Sequence, residues 1–531
     1  MSRITPQVRA ELARAVGSQR LSSQPEDLVV ASYDASSQAA LAGVGVLPEV
    51  VIYPEETAHV ARVLRLAHAH RIPVYPRGAG TGLTGGAVPV VTGIVLDLSR
   101  MNRIRSIDEE NLVAVIEPGV VVNQFQREVE RRGLFYPPDP ASAEYATMGG
   151  SVAECAGGLR GLKYGVTRDY VLALETVLAD GEVIHTGRGT LKSVTGYDVT
   201  KLLIGSEGTL GVFTEITVKL IPLPEATETS LLFFPSADAA GRCVSRVIAR
   251  RILPRALEFM DSTTFACVRN YRGAGLRREG ELPAGQGVAG GTSAEEAFRP
   301  LQSLGGLELP AEAGAVLLVE LDGAREGIAR EREAVLEVAR GLGASSILTA
   351  RDAAERDRMW EIRRVVSPAL LSRSPGRINE DIVVPRSHIP EMLAFLAELS
   401  REFALPIANF GHAGDGNIHV NILIDTADPT HLERAEKIVG RLFHRTVEMG
   451  GTLSGEHGIG LTKKEYLPVE LGHAELAFMR QLKQLLDPRG ILNPGKIFPA
   501  NQATGPESAL RQARGAGESS SKPASAEEPG R

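Results

Sequence analysis

The sequence predicts an α+β fold spread over more than one domain, on three observations. Short β-branched runs alternate with helical stretches over the first hundred residues, so strands and helices interleave there. From Ser230 onward a second series of apolar runs alternates with stretches of helical periodicity, giving a further sheet with its own helices. A chain of 531 residues is long enough for two or more domains, each with a full core.

Val8, Leu12 and Val16 lie at helical spacing up to Gly17, so residues 1–45 read as a helical segment. Val50-Val51-Ile52 is a short strand. Pro54-Glu55-Glu56-Thr57 starts a helix with acids in its first turn, where the helix dipole favours them, and Val60, Val63, Leu64 and Ala67 supply its buried stripe. Residues 73–75, 94–98 and 112–117 read as strands, and 122–132 as a helix stopped by Gly133. Residues 171–178 and 183–184 form a hairpin around Asp180-Gly181. Ile216, Val218 and Leu220 alternate as a strand before Pro222 and Pro224. Beyond them the expected strands are 231–234, 256–260, 316–321, 382–385, 407–410 and 418–424. The expected helices are 237–250, 263–270, 325–342, 351–371, 389–403 and 432–449. Residues 272–312, rich in Gly, Ala and Glu, read as an insertion, and residues 501–531 as a disordered tail with almost nothing to bury.

Residues 77–86 run Arg77-Gly78-Ala79-Gly80-Thr81-Gly82-Leu83-Thr84-Gly85-Gly86, five glycines in ten. Inside a helix or strand each would cost up to ~1 kcal/mol relative to alanine. They make sense where successive backbone N–H groups turn toward one point and approach an anion, most often a phosphate. Arg77, Thr81 and Thr84 add donors; a plain flexible loop is the competing reading. No Gly-Lys-Ser/Thr follows, which excludes a Walker A loop, and a strand rather than a helix follows, which excludes the Rossmann fingerprint. A second glycine-dense stretch, Thr147-Met148-Gly149-Gly150-Ser151-Val152-Ala153-Glu154-Cys155-Ala156-Gly157-Gly158, suggests that the two are walls of one long ligand such as a dinucleotide, rather than unrelated turns.

The net charge of −7 and the lack of a basic stripe argue against a nucleic-acid partner. Cys155, Cys243 and Cys267 supply neither a disulfide framework nor metal-ligand spacing, and fit a reducing, cytoplasmic setting. Residues 1–25 have no apolar core beside a cleavage site, so no secretory signal is expected. No apolar run is long enough for a membrane-spanning helix.

A second chemical centre lies late in the chain. His412 and His419 flank a Gly-Asp-Gly turn within residues 410–421, a spacing that suits a strand-turn-strand with converging imidazoles. Glu456 and His457 sit between glycines in Ser-Gly-Glu-His-Gly-Ile-Gly. Two histidines and one carboxylate make a three-ligand site with an open position, the pattern of catalytic metals. Zn²⁺ suits it; Mn²⁺, Fe²⁺ and Co²⁺ are compatible with the same ligands. Each histidine alone reads equally as an ordinary core or surface residue. Arg363 and Arg364, just after the only tryptophan, Trp360, could grip a carboxylate or lie on a solvated helix face, and Asp381 is similarly open.

Taken in order, PRGAGTGLTGG, PDP, TMGGSVAECAGG, GSEGTLGV, GHAGDGNIHVN, GEHGIG and DPRGILNPGKI resemble the FAD-linked oxidases of the vanillyl-alcohol oxidase superfamily. The closer likeness is to the branch holding D-lactate dehydrogenases, D-2-hydroxyglutarate dehydrogenase and the flavin subunit of bacterial glycolate oxidase. It covers about residues 25–500 and is weak over 272–312.

The resemblance implies a PCMH-type FAD-binding domain of two α/β subdomains at 46–224. It implies a ferredoxin-like α+β cap at 225–460, with helices on one side of its sheet, and a segment at 461–500 that returns to the FAD domain. Arg77, Gly78, Ala79, Gly80, Thr81 and Gly82 would hold the pyrophosphate. Pro138, Asp139, Thr147, Gly149, Gly150, Ala153, Gly157 and Gly158 would line the rest of the cofactor site, with Tyr164, Gly165, Glu207, Thr209 and Val212. Asn493 would close over the flavin. The metal ligands of the D-2-hydroxyglutarate-type members map to His412, His419 and Glu456. Asn421 would hold substrate or tune the site, His457 would be the base, and Arg363 would pair with the substrate carboxylate, with Ser367 nearby.

The implied reaction is oxidation of a D-2-hydroxy acid of lactate, glycolate or 2-hydroxyglutarate type, with hydride passing to flavin N5 and a metal assisting. Electrons would go on to a quinone, a cytochrome or an electron-transfer flavoprotein. Oxidase-complex partners, peripheral attachment at the inner membrane and a homodimer are all compatible with the resemblance. A non-redox flavin enzyme of this fold, like alkylglycerone-phosphate synthase, and a non-catalytic flavoprotein subunit are the alternatives. The chain departs from the pattern twice: Cys155 stands where an Asn is usual, and the Lys found before the cap Asp in some members is absent, with Asn379 and Arg377 preceding Asp381 instead. No His or Cys stands where relatives attach the flavin, apart from Cys155, so non-covalent FAD is expected.

Overall fold

Val50–Ile52 and Ile94–Asp97 are almost wholly apolar, the pattern of strands covered on both faces. In the computed structural model, which describes residues 4–271, 303–304, 307–374 and 376–499, they lie in a four-stranded sheet. Its strands are β1 (Leu21–Ser22), β2 (Val50–Ile52), β3 (Val74–Arg77) and β4 (Ile94–Asp97), in the order β1-β2-β4-β3. β2 and β3 both pair parallel with β4. Helices α1 (Pro6–Val16) and α2 (Thr57–His70) bury Val8, Leu12, Val60 and Leu64 in the same core. The expected first-turn acids of α2 lie outside it: the helix begins at Thr57 and Glu56 is its N-cap.

The next unit is a five-stranded antiparallel sheet: β5 (Ile104–Asp108), β6 (Val113–Ile116), β7 (Val171–Val177), β8 (Val183–Gly187) and β9 (Val212–Lys219), ordered β5-β6-β9-β7-β8. Within its core run α3 (Val122–Glu130) and α4 (Met148–Glu154). α4 shows that much of the second glycine stretch is helical: the Thr147 hydroxyl accepts from Gly150 N–H at its start, and Cys155 ends it in a left-handed conformation.

The third sheet has seven strands, all antiparallel. They are β10 (Ala226–Phe234), β11 (Ala256–Asp261), β12 (Ala315–Gly323), β13 (Ser346–Thr349), β14 (Gly376–Val383), β15 (Ile407–His412) and β16 (Asn417–Ile424). The order is β13-β10-β12-β11-β15-β16-β14.

Helices pack against both of its faces, not one. Helices at Ala237–Ala249, Arg325–Gly341, Ile389–Phe403 and Pro429–Glu448 share one core. The second face carries α5 (Ser262–Asn270), α6 (Ala353–Arg364) and α7 (Val366–Arg373), because Leu231, Met260, Leu318 and Phe410 point that way and need Phe265, Met359, Trp360 and Leu370 over them.

The helix expected over 351–371 is therefore two. Pro368 has no N–H for the carbonyl of Arg364, and the helical ladder breaks at Val365. The strand expected over 382–385 is longer and lies earlier, Gly376–Val383, since its polar alternate residues face a site rather than solvent. The proposed insertion lies largely, and the proposed tail wholly, outside the described residues. No helix among the described residues is long and apolar enough to cross a membrane.

Candidate active site

The loop after β3 starts at Gly78, where the chain passes against the cap of α4. A β-carbon on Gly78 would lie 2.4 Å from Thr147 Oγ1, so only glycine lets the two glycine stretches meet. They form one wall of a cleft of about 1350 Å³ between the first two sheets and the third. Ordinary small-molecule pockets are about 300–1,000 Å³, so this one has room for a dinucleotide and a substrate.

Arg77, Gly78, Ala79, Gly80, Thr81 and Gly82 all line the cleft. Asp139, Thr147, Gly149, Gly150, Ala153 and Gly157 line it further along, and Glu207, Val212 and Asn493 close it. Pro138, Gly158, Tyr164, Gly165 and Thr209 do not reach it. Pro138 accepts from Gln126 through its carbonyl at 2.8 Å, the Tyr164 hydroxyl donates to Asp322 at 2.8 Å, and the Thr209 hydroxyl donates to Ser206 O at 2.7 Å. Gly158 packs on the Asp139 carbonyl and Gly165 on the Asp169 side chain. The Arg77 guanidinium donates to Tyr33 O at 2.8 Å, folding the head of the loop inward.

The second wall comes from the seven-stranded sheet. The β15–β16 hairpin sets the His412 and His419 rings 5.2 Å apart, edge to face. Glu456 arrives on the loop after the last cap helix and puts its Oε1 among three imidazoles: His419 Nε2 at 3.5 Å, His412 Nε2 at 3.6 Å and His457 Nε2 at 3.7 Å. Ligands held tetrahedrally by Zn²⁺ at about 2.0–2.1 Å stand ~3.4 Å from one another, so this set needs little movement to close on a cation. His412 Nδ1 is 2.5 Å from Glu258 Oε1, which leaves a buried Nε2 with no hydrogen-bond partner. A histidine held from behind by a carboxylate, with its other nitrogen free, is how metal-binding imidazoles are oriented. Donor atoms of Asp381, His419, Glu456 and His457 also lie within 4.8 Å of one another.

The electrostatics are consistent with this. Burial opposes ionisation of Glu456, but the close approach of His412 and the charges of His412 and His419 hold its pKa at about 2. Burial would likewise lower His412, but Glu258 lifts it well above the usual histidine value, so a cation taking Nε2 displaces a proton. His457, stacked on His419 with ring centroids 5.3 Å apart, is pushed down to about 4, mainly by burial.

Two residues that the sequence left open or unmarked organise these groups. Asp381 Oδ2 accepts the backbone N–H of Gly455 at 2.9 Å, Glu456 at 2.8 Å and His457 at 3.0 Å, while Oδ1 accepts from Asn417 Nδ2 at 2.6 Å. Glu258 takes His412 on one oxygen and Arg363 Nε at 2.8 Å on the other. The only trace of Glu258 in the sequence is an acid in the middle of the apolar run Ala-Leu-Glu-Phe-Met. Glu154 was also unmarked: it lines the cleft beside Glu207, and burial together with that neighbour's charge pushes it well above the usual carboxyl range.

Arg363 lines the cleft, its guanidinium 4.7 Å over the Phe410 ring, and Ser367 lies on the same wall. Asn421 does not line it. This fully buried side chain donates to the carbonyls of Ala408 and His419 and accepts from Asn379 Nδ2, so its amide is used inside the sheet.

The loop carrying Glu456 and His457 is also fixed from the glycine-loop side. Glu207 accepts from Ile459 N–H at 2.7 Å and Gly460 N–H at 2.8 Å. The Thr84 hydroxyl donates to His457 O at 3.1 Å, and Leu461 N–H donates to Thr84 O at 2.7 Å. Gly157 lies against Glu456, where a β-carbon would come within 2.9 Å of Oε2.

A cleft walled by glycine N–H groups on one side and by an imidazole–carboxylate cluster on the other suits a flavin oxidoreductase, and comparison with known proteins agrees. The family profile described as FAD linked oxidases, C-terminal domain, matches residues 223–497, and the FAD binding domain profile matches 48–187. The chain belongs to the FAD-linked oxidases and is an FAD-dependent oxidoreductase.

Among its relatives, glycolate oxidase subunit GlcD of Bacillus subtilis is 40% identical over 495 residues, 93% of this chain and 97% of that protein. D-lactate dehydrogenase of Anaerostipes hadrus is 35% identical over 456 residues, 85% of this chain and 89% of that protein. The fold also matches p-cresol methylhydroxylase with a TM-score of 0.72 at 18% identity, covering 92% of this chain and 96% of that one. Its match to 4-ethylphenol oxidase of Gulosibacter chungangensis has a TM-score of 0.71 at 20% identity, covering 93% and 98%.

Gly78→Val tests the glycine wall directly. The added side chain meets Thr147 Oγ1 and occupies the approach to the loop N–H groups, so the purified variant is expected to carry little flavin by its absorbance ratio, while remaining folded by circular dichroism.

Proposed function

We propose that the chain oxidises a D-2-hydroxy acid of lactate, glycolate or 2-hydroxyglutarate type to the 2-oxo acid. FAD lies non-covalently in the cleft, and a divalent cation, Zn²⁺ first among the candidates, sits at His412, His419 and Glu456. The observation that carries this reading is Glu456 Oε1 with three imidazole nitrogens at 3.5, 3.6 and 3.7 Å, on the wall facing the glycine loop. The relatives named glycolate oxidase subunit and D-lactate dehydrogenase support the substrate class.

When bound, FAD supplies a two-electron acceptor and the cation supplies positive charge beside the alcohol oxygen. The residues of the chain do the rest. Arg363, with Nε tied to Glu258, keeps its terminal nitrogens for the substrate carboxylate. His457 faces Asp381 through Nδ1 at 3.9 Å, so Nε2 is the atom that takes the hydroxyl proton. Asp381 fixes the backbone that carries both Glu456 and His457. Electrons leave for a quinone, a cytochrome or an electron-transfer flavoprotein rather than O₂, and the naming of relatives as subunits supports a partner in that step.

The test is anaerobic spectroscopy on the purified protein. The flavin band is expected to bleach with at least one of D-lactate, glycolate and D-2-hydroxyglutarate. Chelator is expected to slow bleaching by about 10-fold or more, and Zn²⁺ or Mn²⁺ to restore it. A flavin that none of the three acids reduces refutes the reaction; bleaching indifferent to chelator refutes the metal.

A further inference from the structure

Side chains alternate across a strand, so Arg377, Asn379 and Asp381 of β14 share one face of the sheet. The antiparallel register sets them opposite Leu423, Asn421 and His419 of β16. A polar stripe therefore runs from the imidazole–carboxylate cluster at Asp381, through Asn379, to Arg377. At ~3.4 Å per residue the backbone carries Arg377 ~14 Å from Asp381. Arg377 and Asn379 line the same cleft as His419, Glu456 and His457.

Arg377, unlike most arginines of the cleft, has no counter-charge among the described residues. Four other arginines of the cleft are matched: Arg160 with Asp139 at 3.2 Å, Arg255 with Glu320 at 3.1 Å, Arg363 with Glu258 at 2.8 Å and Arg364 with Glu361 at 3.4 Å. Arg377 forms no ion pair and no side-chain hydrogen bond among the described residues, and its Nη1 is buried without a partner. Burial lowers its pKa and no neighbouring acid offsets this. Leaving a buried charged donor unsatisfied is costly, so an arginine kept in this state on a cleft wall suits an anion that arrives with the ligand.

We propose that Arg377 binds a carboxylate of the substrate and so helps decide which 2-hydroxy acid is accepted. This rests on the function proposed above. Arg363, anchored by Glu258 next to His412, is placed for the carboxylate beside the hydroxyl. Arg377, at the far end of the stripe, is placed for a second carboxylate at the other end of the molecule. Both assignments involve the same chemistry, and the experiment separates them.

Arg377→Met and Arg377→Lys are made in the full-length holoenzyme. Flavin bleaching is followed with D-lactate, glycolate and D-2-hydroxyglutarate, and pyruvate and 2-oxoglutarate are titrated against the flavin spectrum as non-reacting carboxylate probes. Arg377→Met is expected to keep its flavin, to raise KM and a probe Kd by about 10-fold or more, and to change kcat far less; Arg377→Lys is expected to recover part of the loss. An effect confined to D-2-hydroxyglutarate and 2-oxoglutarate assigns the distal carboxylate, and an equal effect on every acid assigns the one beside the hydroxyl. Unchanged KM and Kd values in a flavin-loaded variant overturn the proposal. So does loss of flavin from both variants, since the guanidinium then serves the cofactor. The probe titrations read Arg377 even if no 2-hydroxy acid bleaches the parent protein, which keeps failure of the reaction separate from failure of this assignment.

Discussion

His457→Ala is expected to lower turnover by about 10²- to 10⁴-fold, the range for removing a positioned general base, while the protein keeps its FAD. The residue lies where the walls of the cleft meet, its ring stacked on His419 and its backbone N–H held by Asp381. Burial pushes its pKa from 6.5 to about 4, so the imidazole is neutral and able to accept a proton throughout the neutral range. The acid limb of kcat/KM is accordingly expected nearer pH 4 than pH 6.5, and to vanish in the alanine variant. The sign for stability is the same. Above pH 6.5 the ring is neutral folded or unfolded and contributes nothing; between 6.5 and about 4 only the unfolded chain takes the proton, so stability falls with pH and the loss levels off below about 4. A variant with parental turnover and an unshifted acid limb would remove His457 from the chemistry.

The second large effect belongs to Asp381, a residue that need not touch the substrate. Asp381→Ala leaves the N–H groups of Gly455, Glu456 and His457 and the amide of Asn417 without their shared acceptor. An unsatisfied buried polar group costs about 1–3 kcal/mol, and the loop carrying Glu456 and His457 loses its anchor. We expect metal affinity to drop by about 10- to 100-fold or more, with turnover falling at least as far. Asp381→Asn should fall between: its one carbonyl can replace Oδ2 toward the loop, but its NH₂ then faces the NH₂ of Asn417. Equilibrium metal titration alongside turnover checks the order Asp, Asn, Ala. Equal metal affinity in all three would show that the loop holds itself without the carboxylate.

The sequence marked the parts of the site that sit on unusual backbone. Glycine-rich stretches around Gly78, Gly150 and Glu456 are expensive to keep unless something must come close, and the structure brings all three to one cleft. His412 and His419 were legible because a Gly-Asp-Gly turn between apolar strands folds back on itself. Glu258, Asp381 and Arg377 were harder to read because they sit in regular strands. There, function shows only as a polar residue at a buried alternate position, and which face is buried depends on a neighbour strand distant in sequence. The strand from Gly376 was underestimated for the same reason: Arg377, Asn379 and Asp381 lie before the apolar run, and only β16 beside them completes the strand. Asn421, which the resemblance gave as holding substrate or tuning the site, has its amide tied to neighbouring strands.

The short loop from Ser454 to Thr462 is held on opposite sides by different parts of the chain: Asp381 of the seven-stranded sheet on one, Glu207 and Thr84 from loops of the first two units on the other. Any hinge motion that swung the halves apart would have to tear out these anchors and scatter the reacting groups. The molecule is therefore built as a fixed vice rather than a jaw, with entry and exit confined to the open mouth of the crevice.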